Sequence, residues 1–208
     1  MTDRANDQND GRAAADWSDA DWALIRRIGG GDQTALERLY KQYYSYLYRF
    51  VFQITRRTDC VEEVINEVMF VVWEKAAIVV PGSKASTWIL GIAHKKALQV
   101  MYRGRSAGSV PLDEEHHADL AKDDQTTLRE LETEELLFKA LKFLAPEQRA
   151  VMELVYFQGL HYSEIAAVIE CPENTVKTRV FHARKKLRAL WPELTGNRAL
   201  DASDLHDG

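Results

Sequence analysis

From Gln33 onward, the apolar residues Leu36, Tyr40, Tyr43, Leu47, Phe50 and Ile54 recur at steps of four and three over five turns. That spacing predicts one long amphipathic helix. Ahead of it, Asp19–Ile28 (DADWALIRRI) predicts a short helix that stops at Gly29, Gly30 and Gly31. No strand precedes these glycines, so GGGD is a turn between helices and not a phosphate-binding loop. Thr58 or Asp59 is placed to cap a third helix, in which Val61, Val64 or Ile65, Val68 and Val71 or Val72 bury one side. Its opposite side shows Glu62, Glu63, Asn66, Glu67, Phe70 and Glu74. Such a face is either plainly solvated or a docking surface for a basic partner, with Phe70 as anchor. Pro81 and Gly82 break the periodicity between Ala76 and Ser86 and predict a loop. The next helix, Ser86 to Tyr102, carries with its ends Lys84, Lys95, Lys96, Arg103 and Arg105 and no acid. Trp88, Lys95, Gln99 and Tyr102 share an outward face there, a mix of stacking, donor and charged groups that suits nucleic acid. Trp88 serves equally well as a core residue.

The character then reverses. Between Ser106 and Glu135, ten acids face only Lys122 and Arg129, which predicts a flexible linker that merges into helix near Thr127. Extended at about 3.3 Å per residue, its first 22 or so residues reach on the order of 70 Å, close to two turns of DNA at roughly 34 Å each. Two basic helices at its ends can therefore meet one duplex at well-separated places. Leu136–Phe143 predicts an apolar helix, and Pro146 opens another that runs to Phe157 with Gly159 as its stop.

The most specific pattern comes last. Tyr162–Ile169, with Ser163 as N-cap, then Glu170 and Cys171, then Pro172 opening a second helix, has helix-turn-helix spacing. Val176, Val180, Ala183, Leu187 and Leu190 make its buried stripe. Asn174, Lys177, Thr178, His182 and Lys185 take the other face, flanked by Arg179, Arg184, Lys186 and Arg188. Glu173 to Arg188 holds six Lys/Arg and one acid in a chain whose net charge is -5. An acidic protein that gathers cations on one helix is built to meet phosphate there.

Composition narrows the class. With 208 residues and 46% hydrophobic content, one or two globular domains are expected. No apolar run approaches a membrane span, and the first residues lack the apolar centre of a secretory signal, so a cytoplasmic protein is expected. Cys60 and Cys171 are widely separated single thiols, which suits a reducing compartment. No metal or cofactor is expected: His116 and His117 have no further ligands at suitable spacing. An enzyme using the carboxylates of Glu62–Glu67 is disfavoured, because no second catalytic partner is legible.

LERLYKQYYSYLYRF, EEVINEVMFVVWEK, STWILGIA and LAPEQRAVMELVYFQGLHYSEIAAVIECPENTVKTRVFHARKKL occur here in one order. In that combination the chain resembles the extracytoplasmic-function class of bacterial sigma-70 family sigma factors, over about Asp21 to Pro192. The resemblance implies an all-α protein of two small helical domains joined by a flexible acidic linker. A tail (1–18) precedes a region 2-like domain (19–105), then come the linker (106–129), a region 4-like helix-turn-helix domain (130–194) and a second tail (195–208). It implies that Glu62, Glu63, Asn66, Glu67 and Phe70 dock on the β′ clamp helices of core RNA polymerase. The loop from Ala77 to Ser86 would hold a flipped base of the minus-ten element, with Lys84, Ser86, Trp88, Lys95, Lys96, Gln99 and Arg103 on its reading surface. Asn174, Thr175, Lys177, Thr178, Arg179, His182, Arg184 and Lys185 would enter the minus-thirty-five major groove. The partners implied are core polymerase (β′ clamp helices and β flap), promoter DNA and an anti-sigma factor, with a monomer in the free state and no membrane insertion. Asn174 stands where Gly is usual and Thr178 where Ser is usual, Lys95 and Gln99 replace an Asn and an Asp, and Ala85 replaces an aromatic; these changes bear on promoter sequence. The alternative is a two-domain helix-turn-helix regulator with an N-terminal sensing or dimerisation domain, which predicts dimers and palindromic sites.

Overall fold

Among the described residues the longest helix is α2 (Gln33–Thr55), against which four of the others pack. The structure, a computed structural model, describes residues 18–106, 136 and 139–194, and over these it contains helices and turns and no strand. Asp32 begins α2 by accepting the Ala35 N–H at 3.1 Å, which satisfies one of the orphan donors of the first turn. Tyr43, Leu47 and Phe50 are fully buried, as their spacing predicts, while Leu36 and Tyr40 are only partly covered. Helix α1 (Ser18–Gly29) lies against α2. Its buried Asp21 carboxylate accepts from the Tyr43 hydroxyl at 2.5 Å and from the Gln42 amide at 2.7 Å. Burial pushes both the Asp21 carboxyl and the Tyr43 phenol upward in pKa, so the phenol stays a donor.

Helix α3 (Val61–Lys75) starts from Cys60, which makes no side-chain cap, and neither Thr58 nor Asp59 takes the expected capping position. The Asp59 carboxylate is held instead by the Arg57 guanidinium at 2.6 Å. Helix α4 (Ala85–Ser106) completes a bundle with α1, α2 and α3.

The C-terminal helices are α5 (Pro146–Tyr156), α6 (Tyr162–Val168) and α7 (Glu173–Leu194). His161, and not Ser163, is the N-cap of α6, because Glu164 reaches back to accept the His161 N–H at 2.9 Å. The α6–α7 turn closes through Glu170 in the left-handed region (φ 51°), and the Cys171 N–H donates to Ala166 O at 3.1 Å. Val176, Val180, Ala183 and Leu187 are buried as expected, and Leu190 is half-buried.

The two groups of helices pack on each other, α5 against the C-terminal half of α2 and α6 against α4. Arg149, on α5, is buried and donates to Gln53 O at 2.6 Å, Ile54 O at 3.2 Å and Leu144 O at 2.8 Å. A guanidinium thus caps the last turn of α2, where the helix dipole favours a cation. Beside it Arg49 Nε lies 3.0 Å from the fully buried Glu153 carboxylate, and the Arg49 guanidinium sits 3.3 Å over the Phe157 ring. Phe52, Gln53 and Thr55 are consequently buried on a side of α2 that periodicity assigns to solvent. Ser18 and Ser106, expected in the first tail and the linker, belong to α1 and α4; the rest of the expected linker and first tail, the second tail and the His116–His117 pair lie outside the described residues.

Candidate nucleic-acid and polymerase surfaces

On α7 the expected polar face is present: Asn174, Lys177, Thr178, His182 and Lys185 are all exposed. The Thr178 hydroxyl donates to Asn174 O at 2.8 Å, and Lys177 Nζ lies 2.9 Å from Glu173. Thr175 is half-buried. Arg179 and Arg184 are half-buried on the flanks of this face. Arg179 rests 4.0 Å from Cys171 Sγ, while Arg184 Nε donates to the Tyr156 hydroxyl at 2.7 Å. Phe181, absent from the sequence expectation, is 63% exposed midway between Lys177 and Lys185. Its four-residue offset from both lysines was the signal that places it on their face.

The second surface lies between α3 and α4. Trp88, Lys95, Lys96 and Gln99 meet Ile78 and Val79 of the preceding loop around a pocket of about 460 Å³. Trp88 both packs and lines this pocket, its ring stacked on Trp22 at 5.9 Å and 26°. Ile78 and Val80 project from the loop, Ser86 is half-buried at the helix start and Arg103 is exposed beyond the pocket. Two lysines of this surface face the helix-turn-helix: Lys84 Nζ lies 2.8 Å from Glu164, and Lys95 Nζ lies 2.6 Å from Glu170. Burial raises the Glu164 carboxyl, but hydrogen bonds from Lys84 and the His161 N–H outweigh it and hold the group below its ordinary range.

The third surface is the outer side of α3. Glu63, Asn66 and Phe70 are exposed, and Phe70 borders a groove of about 420 Å³ with Leu36, Tyr40, Met69 and Trp73. Glu62 accepts from the Tyr44 hydroxyl at 3.2 Å, and Glu67 pairs with Lys96 at 3.1 Å, so these two acids are tied to α2 and α4.

The model of sigma-70 region 2 matches residues 39–107, and that of sigma-70 region 4 matches residues 134–187. The ECF RNA polymerase sigma factor SigK of Mycobacterium tuberculosis is 32% identical over 185 residues, covering 82% of this chain and 92% of its own. This chain belongs to the extracytoplasmic-function sigma factors. The ECF RNA polymerase sigma factor RpoE of Cereibacter sphaeroides is 30% identical, with 81% of this chain and 93% of that protein covered. Among solved structures, CnrH in complex with the cytosolic domain of CnrY superposes with a TM-score of 0.61 at 22% identity, covering 84% of this chain and 99% of that one. RpoE of Bartonella quintana in complex with the anti-sigma factor NepR gives 0.57 at 22%, covering 74% and 95%. These two share the fold. Membership in the family sets aside the two-domain regulator with a sensing domain.

In this sigma factor the contact between regions also places a histidine among charged groups of both regions. His94, on α4, lies beside Phe50 with ring centroids 6.4 Å apart. Burial, and then the positive charge of Arg179, push it down to about 4; Glu170 and Glu147 pull it upward, and Lys95 adds to the downward push. Neutral His94 is therefore the form that the packed state accepts. The stability this contributes is complete above the ordinary histidine pKa of about 6.5 and declines as the pH falls from there toward 4. Wild type is expected to lose roughly 1–2 kcal/mol more than His94→Gln between pH 7 and pH 5. Parallel pH profiles of denaturant unfolding for the two proteins would refute this.

Among the described residues, no helix is long and apolar enough to cross a membrane.

Proposed function

We propose that this sigma factor works by distributing three tasks over the three surfaces above. The exposed acids and Phe70 of α3 engage the β′ clamp helices of core polymerase. The α3–α4 pocket and its loop take a base extruded from the minus-ten element, with Trp88 as stacking floor and Lys95, Lys96 and Gln99 at the rim. Extrusion costs a few kcal/mol, so a fitting pocket converts that cost into sequence selection. The open face of α7 enters the minus-thirty-five major groove, where Asn174, Lys177 and Thr178 lead and Lys185 holds phosphate. Phe181 joins this set as an apolar contact for a thymine methyl. Arg179 and Arg184 position the helix and do not lead on the duplex.

One observation carries this reading: two surfaces suited to nucleic acid stand on two different sigma regions. The acidic linker (106–129) then sets their reach. Because Glu164 and Glu170 occupy Lys84 and Lys95, promoter engagement requires the regions to part and phosphates to replace those carboxylates. With a net charge of -5, the free protein is a monomer with weak DNA affinity of its own, acting in the cytoplasm within the polymerase complex and catalysing no covalent step. An anti-sigma factor is a further partner, as solved structures of the same fold are complexes with the cytosolic domain of CnrY and with the anti-sigma factor NepR, and the apolar α2–α3 groove offers it a surface.

Run-off transcription by core polymerase on sheared genomic DNA, with and without the protein, tests this and maps its promoters. Discrete start sites appearing only with the protein are expected. Tight, salt-sensitive and sequence-specific duplex binding by the protein alone would contradict it. Lys177→Ala is expected to weaken use of the mapped upstream element about fivefold or more while core binding is unchanged; loss of core binding in that variant would refute the division of labour.

A further inference from the structure

The family model of region 2 begins at residue 39, so α1 lies ahead of every segment to which the match assigns a role. Yet α1 touches the minus-ten loop at both of its ends. At the start of the loop, a Cβ built on Gly29 would stand 2.9 Å from the backbone of Ala76 and Ala77, a separation that only glycine permits. At the end of the loop, the Trp22 indole N–H donates to Ser83 O at 3.0 Å. Trp22 and Gly29 are seven residues apart, about two helical turns, and so lie on one side of α1. The Trp22 ring also backs the Trp88 ring that lines the pocket. The register of α1 is itself fixed, because the neighbouring residue Asp21 is locked to Tyr43 and Gln42 on α2.

A buried indole that donates a single bond to a loop carbonyl ties the loop backbone and the stacking floor to one rigid point. Were the loop to shift, the Trp22 N–H would lose its partner in a site only 7% exposed, and leaving a buried donor unmade is costly. We propose that Trp22 is a positioning residue for promoter recognition: it holds the 76–84 loop and the plane of Trp88 so that the α3–α4 pocket keeps the shape of one nucleobase. The inference rests on the proposal that this pocket receives a base.

The test uses holoenzyme reconstituted from full-length protein and core polymerase on a mapped promoter. The non-template position most sensitive to substitution is varied through all four bases. Trp22→Phe keeps a ring against Trp88 and removes the donor. It is expected to melt near the wild-type temperature, to bind core polymerase as wild type does, and to slow open-complex formation on the preferred base about three- to tenfold. Rates on the other three bases should change little, so the preference flattens; a general loss of structure would lower all four alike. Gly29→Ala, which displaces the loop from its other end and leaves the indole in place, is expected to flatten the same preference and carries the test if Trp22→Phe fails to fold. A preference kept by both variants but altered by Gln99→Ala would overturn the role of Trp22 and leave the pocket reading standing. A preference unmoved by Gln99→Ala and Trp88→Ala as well would overturn both.

Discussion

Arg149→Leu is expected to destabilise the free sigma factor by about 3 kcal/mol and to expand it in solution, because it removes a buried cation that serves three carbonyls. Two of these, Gln53 O and Ile54 O, belong to the last turn of α2, and the third, Leu144 O, precedes α5. With leucine in place the carbonyls stay buried without their charged donor so long as regions 2 and 4 remain packed. Separation returns the α2 carbonyls to water. The lost interaction therefore weighs mostly on the packed state, and the equilibrium moves toward the open one. Small-angle scattering reads the expansion and denaturant unfolding reads the stability. An unchanged radius of gyration together with an unchanged midpoint would mean that Arg149 does not hold the regions together. The neighbouring Arg49–Glu153 pair, with Glu153 fully buried, makes this contact more than a single hydrogen-bonded point.

Phe70→Ala is expected to cost core polymerase binding about 2 kcal/mol or more, roughly thirtyfold in affinity, as truncation of an aromatic anchor commonly does. Phe70 is 61% exposed and borders an apolar groove, whereas its neighbours Met69 and Val72 are buried. The substitution removes surface and not core, so thermal stability should move by no more than about 0.5 kcal/mol. Competition against a second sigma factor for limiting core polymerase measures the affinity. Equal competition by variant and wild type would remove this face from the docking proposal. Glu67→Lys acts differently, because Glu67 already pairs with Lys96; its loss disturbs the rim of the minus-ten pocket as well as the docking face.

Several expectations hold residue by residue, and the exceptions share a cause. The stripe Val176, Val180, Ala183 and Leu187 is buried where its spacing puts it, since a helix face is set by neighbours three and four residues away. Ser163 looks like the better cap by residue type, but Glu164 bonds back to His161 and starts the helix two residues earlier. Asp59 is diverted from capping by Arg57. Arg179 and Arg184 flank the recognition face by spacing, and in the fold Arg179 lies 4.0 Å from Cys171 Sγ while Arg184 donates to the Tyr156 hydroxyl. For both caps a competing partner for a polar side chain decided the outcome, and residue type does not reveal which partner wins.

By itself the chain of residues determined the helices, their order, the cationic recognition helix and the family, because periodicity, breakers and motif order are local and survive in one dimension. Only the tertiary structure decided that α5 caps the end of α2, that Lys84 and Lys95 face Glu164 and Glu170, and that Trp22 reaches Ser83. Those contacts join residues roughly 60 to 100 positions apart. They depend on which surfaces fit one another once the helices exist, and no spacing rule along the chain encodes that fit.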